Sequence, residues 1–205
     1  YCVDNAFFFH AAEKAGEDVS MLRKKWGLPE TGMVLLYVGK FEPKKHPEIL
    51  LEALAQVKSK VHLLMVGDGE LMPACRNLAE GLPVSFAGFL NQSEIPSAYA
   101  VADVLVLPSD DGETWGLVAN EAMACGLPVV VSDRPGCAGD LVRDGETGRV
   151  VPFGDATLLA QALQELAEDP EGLERLGATA KRRVADYNFE QVAAGVKDAL
   201  RSCLS

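Results

Sequence analysis

Short, mostly apolar runs alternate with helix-period segments from residue 33 to residue 151, and that alternation leaves few folds open. The first run, residues 34–38 (VLLYV), ends at Gly39. A run with no polar position has no wet face, so it reads as a strand buried on both sides of a parallel sheet. Further strand-like runs stand at 61–66, 84–87, 104–107, 128–131 and 148–151. Helical spacing fills the intervals at 47–57, 70–80, 93–101 (with Ser93 as N-cap), 117–125 and, briefly, 138–142. Six strands alternating with helices imply an α/β fold, a doubly wound parallel sheet with right-handed crossovers and helices on both faces. From Asp155 onward the chain reads as helical, broken near Pro170 and Tyr187-Asn188. Residues 1–32 lack the alternation and read as a linker with one short helix, which leaves 33–205 as the domain.

Open sheets of this kind bind ligands outside the carboxyl ends of their strands. The polar loop 109–112 (SDDG) follows the fourth run and leads into the helix at 117–125. A helix N-terminus at that edge offers free N–H groups and a positive dipole end, which suits phosphate. Glu113 lies in the loop and Glu121 on the helix, eight positions apart. Ionised glutamates only accept hydrogen bonds, so the pair suits hydroxyl recognition better than general acid–base work. Anion and hydroxyls together are the chemistry of a sugar nucleotide. The plain structural alternative is a solvated loop charge at Glu113 and a dipole-favoured first-turn residue at Glu121.

The loop after the first strand carries Lys40, Lys44 and Lys45 to the same edge. Two cations there would offset a diphosphate's charge, or they form a solvated basic turn. Gly67-Asp68-Gly69 begins a dinucleotide fingerprint, but position 72 is Met, so a tight strand-to-helix turn is the better reading. A Walker A sequence is absent. Tyr37, Phe86, Phe89 and Trp115 could stack on a base or sugar, although aromatics at strand ends more often belong to a core.

The formal charge of −11 argues against nucleic acid or an anionic membrane as the main partner. Five scattered cysteines without a CxxC indicate neither a disulfide framework nor a metal site and point to a reducing compartment, hence to the cytoplasm. The adjacent Asp110 and Asp111 would point to opposite faces of extended backbone, which disfavours a metal there. No apolar run approaches the ~18 residues of a membrane span. The chain opens on Tyr1-Cys2 rather than Met, so a fragment or processed product is expected.

Residues 113–126 (ETWGLVANEAMACG), continuing to Asp133, resemble the E-x7-E region of retaining glycosyltransferases with the GT-B fold, family 4. Three more blocks agree in order: Gly39-Lys40-Phe41 with Lys45 resembles the family's G-R-L-x-x-x-K-G loop, 66–69 its V-G-x-G turn, and 144–155 its D-G-x-x-G-x-L-V strand and following helix. The resemblance implies a Rossmann-like, donor-binding C-terminal domain, with the acceptor-binding N-terminal domain outside this chain. By resemblance, Glu113 would meet the hydroxyls of the transferred sugar and Glu121 the ribose diol. Lys40 and Lys45, with Gly39 and Gly67 beside them, would hold the diphosphate. Backbone N–H groups near Trp115, Gly116 and Leu117 would reach phosphate or sugar, and Leu90-Asn91 the base. A nucleotide-diphosphate sugar is then the donor substrate, with no cofactor and no metal, and the fragment alone would turn over poorly. Peripheral membrane association of the full protein stays open. Departures from the pattern are Lys40 for Arg, His46 for Gly, Thr114-Trp115 for Gly-Phe or Ser-Phe, and Gly136 to Asp140 for G-G-x-x-E. A nucleotide-sugar epimerase of the same architecture and a non-catalytic nucleotide-binding module are the alternatives.

Overall fold

The computed structural model describes residues 1–204. Six strands, β1 (Met33–Val38), β2 (Val61–Val66), β3 (Val84–Gly88), β4 (Val104–Leu107), β5 (Val129–Ser132) and β6 (Gly148–Val151), form one sheet in the order β3-β2-β1-β4-β5-β6. Every pairing is parallel. The order reverses between β1 and β4, so the loops after those two strands part and open a crevice at the carboxyl edge.

Side chains leave a strand alternately on opposite faces, and the two faces feed two cores. Val34, Leu36, Leu64, Leu105, Val129 and Val131 point to one side, where they meet Tyr99, Ala119 and Met123. Leu35, Tyr37, Leu63, Met65, Val106 and Val130 point to the other, against Leu50, Leu51, Leu159 and Leu163. The first side is covered by α1 (Asn5–Gly16), α5 (Pro96–Val101), α6 (Leu117–Ala124) and α9 (Pro170–Val184). The second is covered by α3 (Pro47–Leu54), α4 (Met72–Leu78) and α8 (Ala156–Glu168). The remaining helices are α2 (Val19–Lys25), α7 (Cys137–Asp140) and α10 (Phe189–Leu204), with a 3-10 turn at Pro43–Lys45.

Three sequence expectations need correction. Residues 1–32 hold two helices rather than one. Asp4 caps the first by accepting from the Phe7 N–H, and Phe8, 3% exposed, packs edge-on against Tyr99. Ser93 does not cap a helix over 93–101. The Asn91 side chain accepts from the N–H groups of Ser93 and Glu94, and α5 begins only at Pro96. The short helix near 138–142 starts and ends earlier, at Cys137–Asp140, where the Cys137 N–H reaches the Trp115 carbonyl.

The loops after β1 and β2 cross in backbone contact. Phe41 is fully buried, its N–H donates to the Asp68 carbonyl (2.9 Å), and its own carbonyl accepts from Leu71 (2.9 Å). The two glycines of Gly67-Asp68-Gly69 make this crossing feasible. Gly67 has φ +130, and a Cβ there would overlap the Gly39 carbonyl oxygen. At Gly69 a Cβ would lie 2.5–2.8 Å from backbone atoms of Phe41. Gly67→Ala is therefore expected to cost about 2–4 kcal/mol through overlap and backbone strain together. Gly16→Ala, whose Cβ would meet nothing within 4 Å, should change stability by less than about 0.5 kcal/mol. Urea unfolding midpoints of the two variants check the contrast.

Candidate functional site

A cleft of about 800 Å³ opens at the carboxyl ends of β1, β2 and β3, beside the first turn of α6. Its floor is main chain from Val38 to Lys40 and from Val66 to Gly69. One wall is the loop after β3, Phe89 to Gln92. Phe8, Ile95 and Val118 line it with apolar surface, and Glu121 supplies a carboxylate. Phe89 stands 75% exposed at the rim. Of the residues expected from sequence, Gly39, Lys40, Gly67, Leu90, Asn91 and Glu121 come together here. An apolar-walled cleft with a few converging polar groups is the usual form of a small-molecule site.

Glu121 is held by a residue that sequence spacing does not reveal. Tyr99, buried on α5, donates its O–H to Glu121 Oε2 at 2.6 Å. Burial pushes the Glu121 carboxyl up, and the Tyr99 hydrogen bond partly offsets that. Burial and the facing carboxylate drive the Tyr99 hydroxyl well above its ordinary value, so it remains a donor. The second carboxylate oxygen adds acceptor capacity at the cleft wall, which suits a diol.

Glu113 stands elsewhere. Its carboxylate is in contact with the Lys45 ammonium, and both side chains are only 14% exposed. Lys45 reaches it from the 3-10 turn after β1, and a Cβ on Gly39 would be 3.8 Å from Lys45 Cδ, so the pair flanks the cleft floor rather than lining it. Burial and the neighbouring Lys44 hold the Lys45 ammonium below its ordinary value, and the Glu42 carboxylate opposes this only in part. The loop holding Glu113 is folded on itself, with the Glu113 N–H donating to the Asp110 carbonyl (3.1 Å).

Trp115 is part of the core. It is 7% exposed, donates its ring N–H to Asn120 Oδ1 (2.7 Å) and stacks on Tyr1 at 4.8 Å. Gly116 forms the N-cap of α6 with φ +91. The N–H groups of Leu117 and Val118 open the helix, where no intrahelical acceptor exists, and Ala119 donates to the Gly116 carbonyl (2.9 Å). Lys40 and this helix end bring cationic groups to the edge, while Lys45 is already paired with Glu113. Phe8, Ile95, Val118 and Tyr99 are site residues that sequence reasoning missed. They are ordinary core-type side chains, and only the fold brings the first three to the cleft and Tyr99 behind Glu121.

The fold and this edge belong to a known class. Residues 18–183 match the model of the glycosyl transferases group 1, and the chain is a member of that family. It is 37% identical over 176 residues to the phosphatidyl-myo-inositol mannosyltransferase of Mycobacterium leprae, covering 83% of this chain and 46% of that enzyme. With the D-inositol 3-phosphate glycosyltransferase of Streptomyces bingchenggensis it shares 34% identity over 192 residues, covering 86% and 42%. The chain thus spans less than half the length of these curated relatives. Among solved structures, Anabaena HepE in complex with UDP superposes with a TM-score of 0.81 at 27% identity, over 91% of this chain and 53% of HepE. Sucrose-phosphate synthase from Thermosynechococcus elongatus does so with a TM-score of 0.77 at 33% identity, over 90% and 49%. The fold is the Rossmann-like one of these GT-B neighbours. Among the described residues, no helix is long and apolar enough to cross a membrane. Nor does any group of three His, Cys, Asp or Glu side chains come together as a metal site there.

The environment of Glu121 has a measurable cost. Its folded-state pKa lies above the ordinary 4.5, so its contribution to stability is fully present below that pH and is lost as pH rises through the folded value. Glu121→Gln, which does not titrate, is expected to lose less stability than the unsubstituted chain between pH 4.5 and neutrality. Urea unfolding across that range measures the divergence.

Proposed function

We propose that this chain is the donor-binding part of a retaining family 4 glycosyltransferase, which moves a sugar from a nucleoside diphosphate sugar to an acceptor held largely by the rest of the protein. The observation that carries the reading is the cleft at the switch point, where Lys40, Glu121 and the N-terminal end of α6 converge. The family match and the UDP complex of HepE support it and make a UDP-sugar the first donor to test.

In this reading the base lies against the loop at Leu90-Asn91, and the ribose diol donates to Glu121 as Tyr99 steadies the carboxylate. The diphosphate meets Lys40 and the free N–H groups of α6, with Lys45 close by. Charge grows on the diphosphate as the glycosidic bond to it breaks, and fixed cations and dipoles stabilise that charge more than they stabilise the bound donor. Glu113 then accepts from hydroxyls of the transferred sugar, while Lys45 divides its hydrogen bonds between Glu113 and the phosphate. The relatives' names make inositol-bearing compounds the first acceptors to try.

UDP-, GDP- and ADP-sugars should separate in a thermal-shift panel, because a ligand that binds only the folded state raises its midpoint. One of them is expected to shift this chain, weakly, and Glu121→Ala should abolish that shift. No shift with any nucleotide sugar at millimolar concentration would count against the donor site. In the full-length protein, Glu113→Ala should lower kcat by about a hundredfold or more. Proton NMR of the product should show the donor's anomeric configuration kept.

A further inference from the structure

His46 occupies a backbone conformation that side chains avoid. Its φ and ψ are 46 and 49, the only positive φ outside glycine among the described residues. Left-handed backbone is disfavoured for an L-residue, so the surroundings must hold it there. Ring Nδ1 lies 2.8 Å from Glu48 Oε1, ring Nε2 lies 3.0 Å from Asp110 Oδ2, and Phe153 packs edge-on at 4.8 Å. Both ring nitrogens therefore face carboxylates. An ionised carboxylate only accepts, and a neutral imidazole carries one N–H, so both bonds can be made at once only by the imidazolium.

Asp110 is where the Glu113 loop is tied together. Its N–H donates to the Lys44 carbonyl (3.0 Å), its Oδ1 accepts from the Gly112 N–H (2.7 Å), and its carbonyl accepts from the Glu113 N–H (3.1 Å). Lys45, next to His46 in the chain, contacts the Glu113 carboxylate. The left-handed turn at His46 and its bond to Asp110 thus clamp the two segments that present Lys45 and Glu113.

We infer that protonated His46 is a positioning residue, fixing Glu113 and Lys45 through Asp110, so that sugar transfer by the full-length protein declines when the ring loses its proton. This rests on the donor-site reading above. Glu48 faces the ring from the first turn of α3, Asp110 from the loop after β4, and uncharged Phe153 from the loop after β6. Glu42, Lys44 and Lys45 are the charged groups on its own segment. Burial lowers the pKa of His46, yet the bonds to Glu48 and Asp110 outweigh it and the net shift is upward. The clamp is therefore complete below the ordinary value of 6.5 and is lost as pH rises through the folded-state value.

The test uses full-length protein and His46→Asn, since Asn tolerates left-handed backbone and does not titrate. Unsubstituted protein should lose kcat on the alkaline side with the midpoint that NMR gives for the His46 ring. The Gly112 and Glu113 amide resonances should move with that same midpoint. His46→Asn should show kcat lower by about tenfold, as expected for slight misplacement of reacting groups. It should also lack that alkaline limb and keep its KM for donor. A neutral ring at pH 6, amides that ignore the ring, or the same pH profile in both proteins would overturn the inference. Coupled ring and amides with no transfer at any pH would count against the donor-site reading instead.

Discussion

Covering a parallel sheet on both faces settles where everything else in this molecule can go. With Val34, Leu36 and Leu105 committed to one core and Leu35, Tyr37 and Val106 to the other, the strands have no side left for chemistry. Polar side chains gather at the carboxyl edge, where the chain turns between strand and helix. The reversal of strand order at β1 and β4 then separates two of those turns. One carries Lys40 and Lys45, the other Glu113, and α6 brings Glu121 in behind them.

Charge at that edge is balanced within the protein rather than left for solvent. Lys45 has Glu113, His46 has Glu48 and Asp110, and Glu121 has the Tyr99 hydroxyl. Each pairing offsets part of the cost of moving a charge out of water. These contacts fix the side chains in advance, which the electrostatic role proposed above would require.

Much of the architecture was legible in the chain because apolar periodicity records burial directly. Residues 34–38 were readable as a buried strand from their unbroken apolar run, and the loop positions of Lys40, Asn91 and Glu113 followed from where the strands end. The readings failed where a local signal competed with a distant partner. Ser93 has the chemistry of an N-cap, but Asn91 two residues earlier takes the N–H groups, and Pro96 sets the helix start. Residues 5–16 have a weak apolar face, and what makes them a packed helix is Phe8 meeting Tyr99, ninety-one positions away in sequence. The Tyr99–Glu121 bond was hidden for the same reason, since nothing local to Tyr99 differs from an ordinary core tyrosine.

The close packing of Phe8 on Tyr99 ties the first helix to the polarity of the cleft. Tyr99 holds Glu121, and Phe8 is itself part of the cleft wall. Were α1 to swing away, water would replace an aromatic ring beside a half-buried carboxylate, and the local dielectric would rise. Glu121 would gain solvation, and its carboxyl would fall back toward its ordinary value. The segment ahead of the first strand thus acts as insulation for the part of the cleft that Glu121 lines.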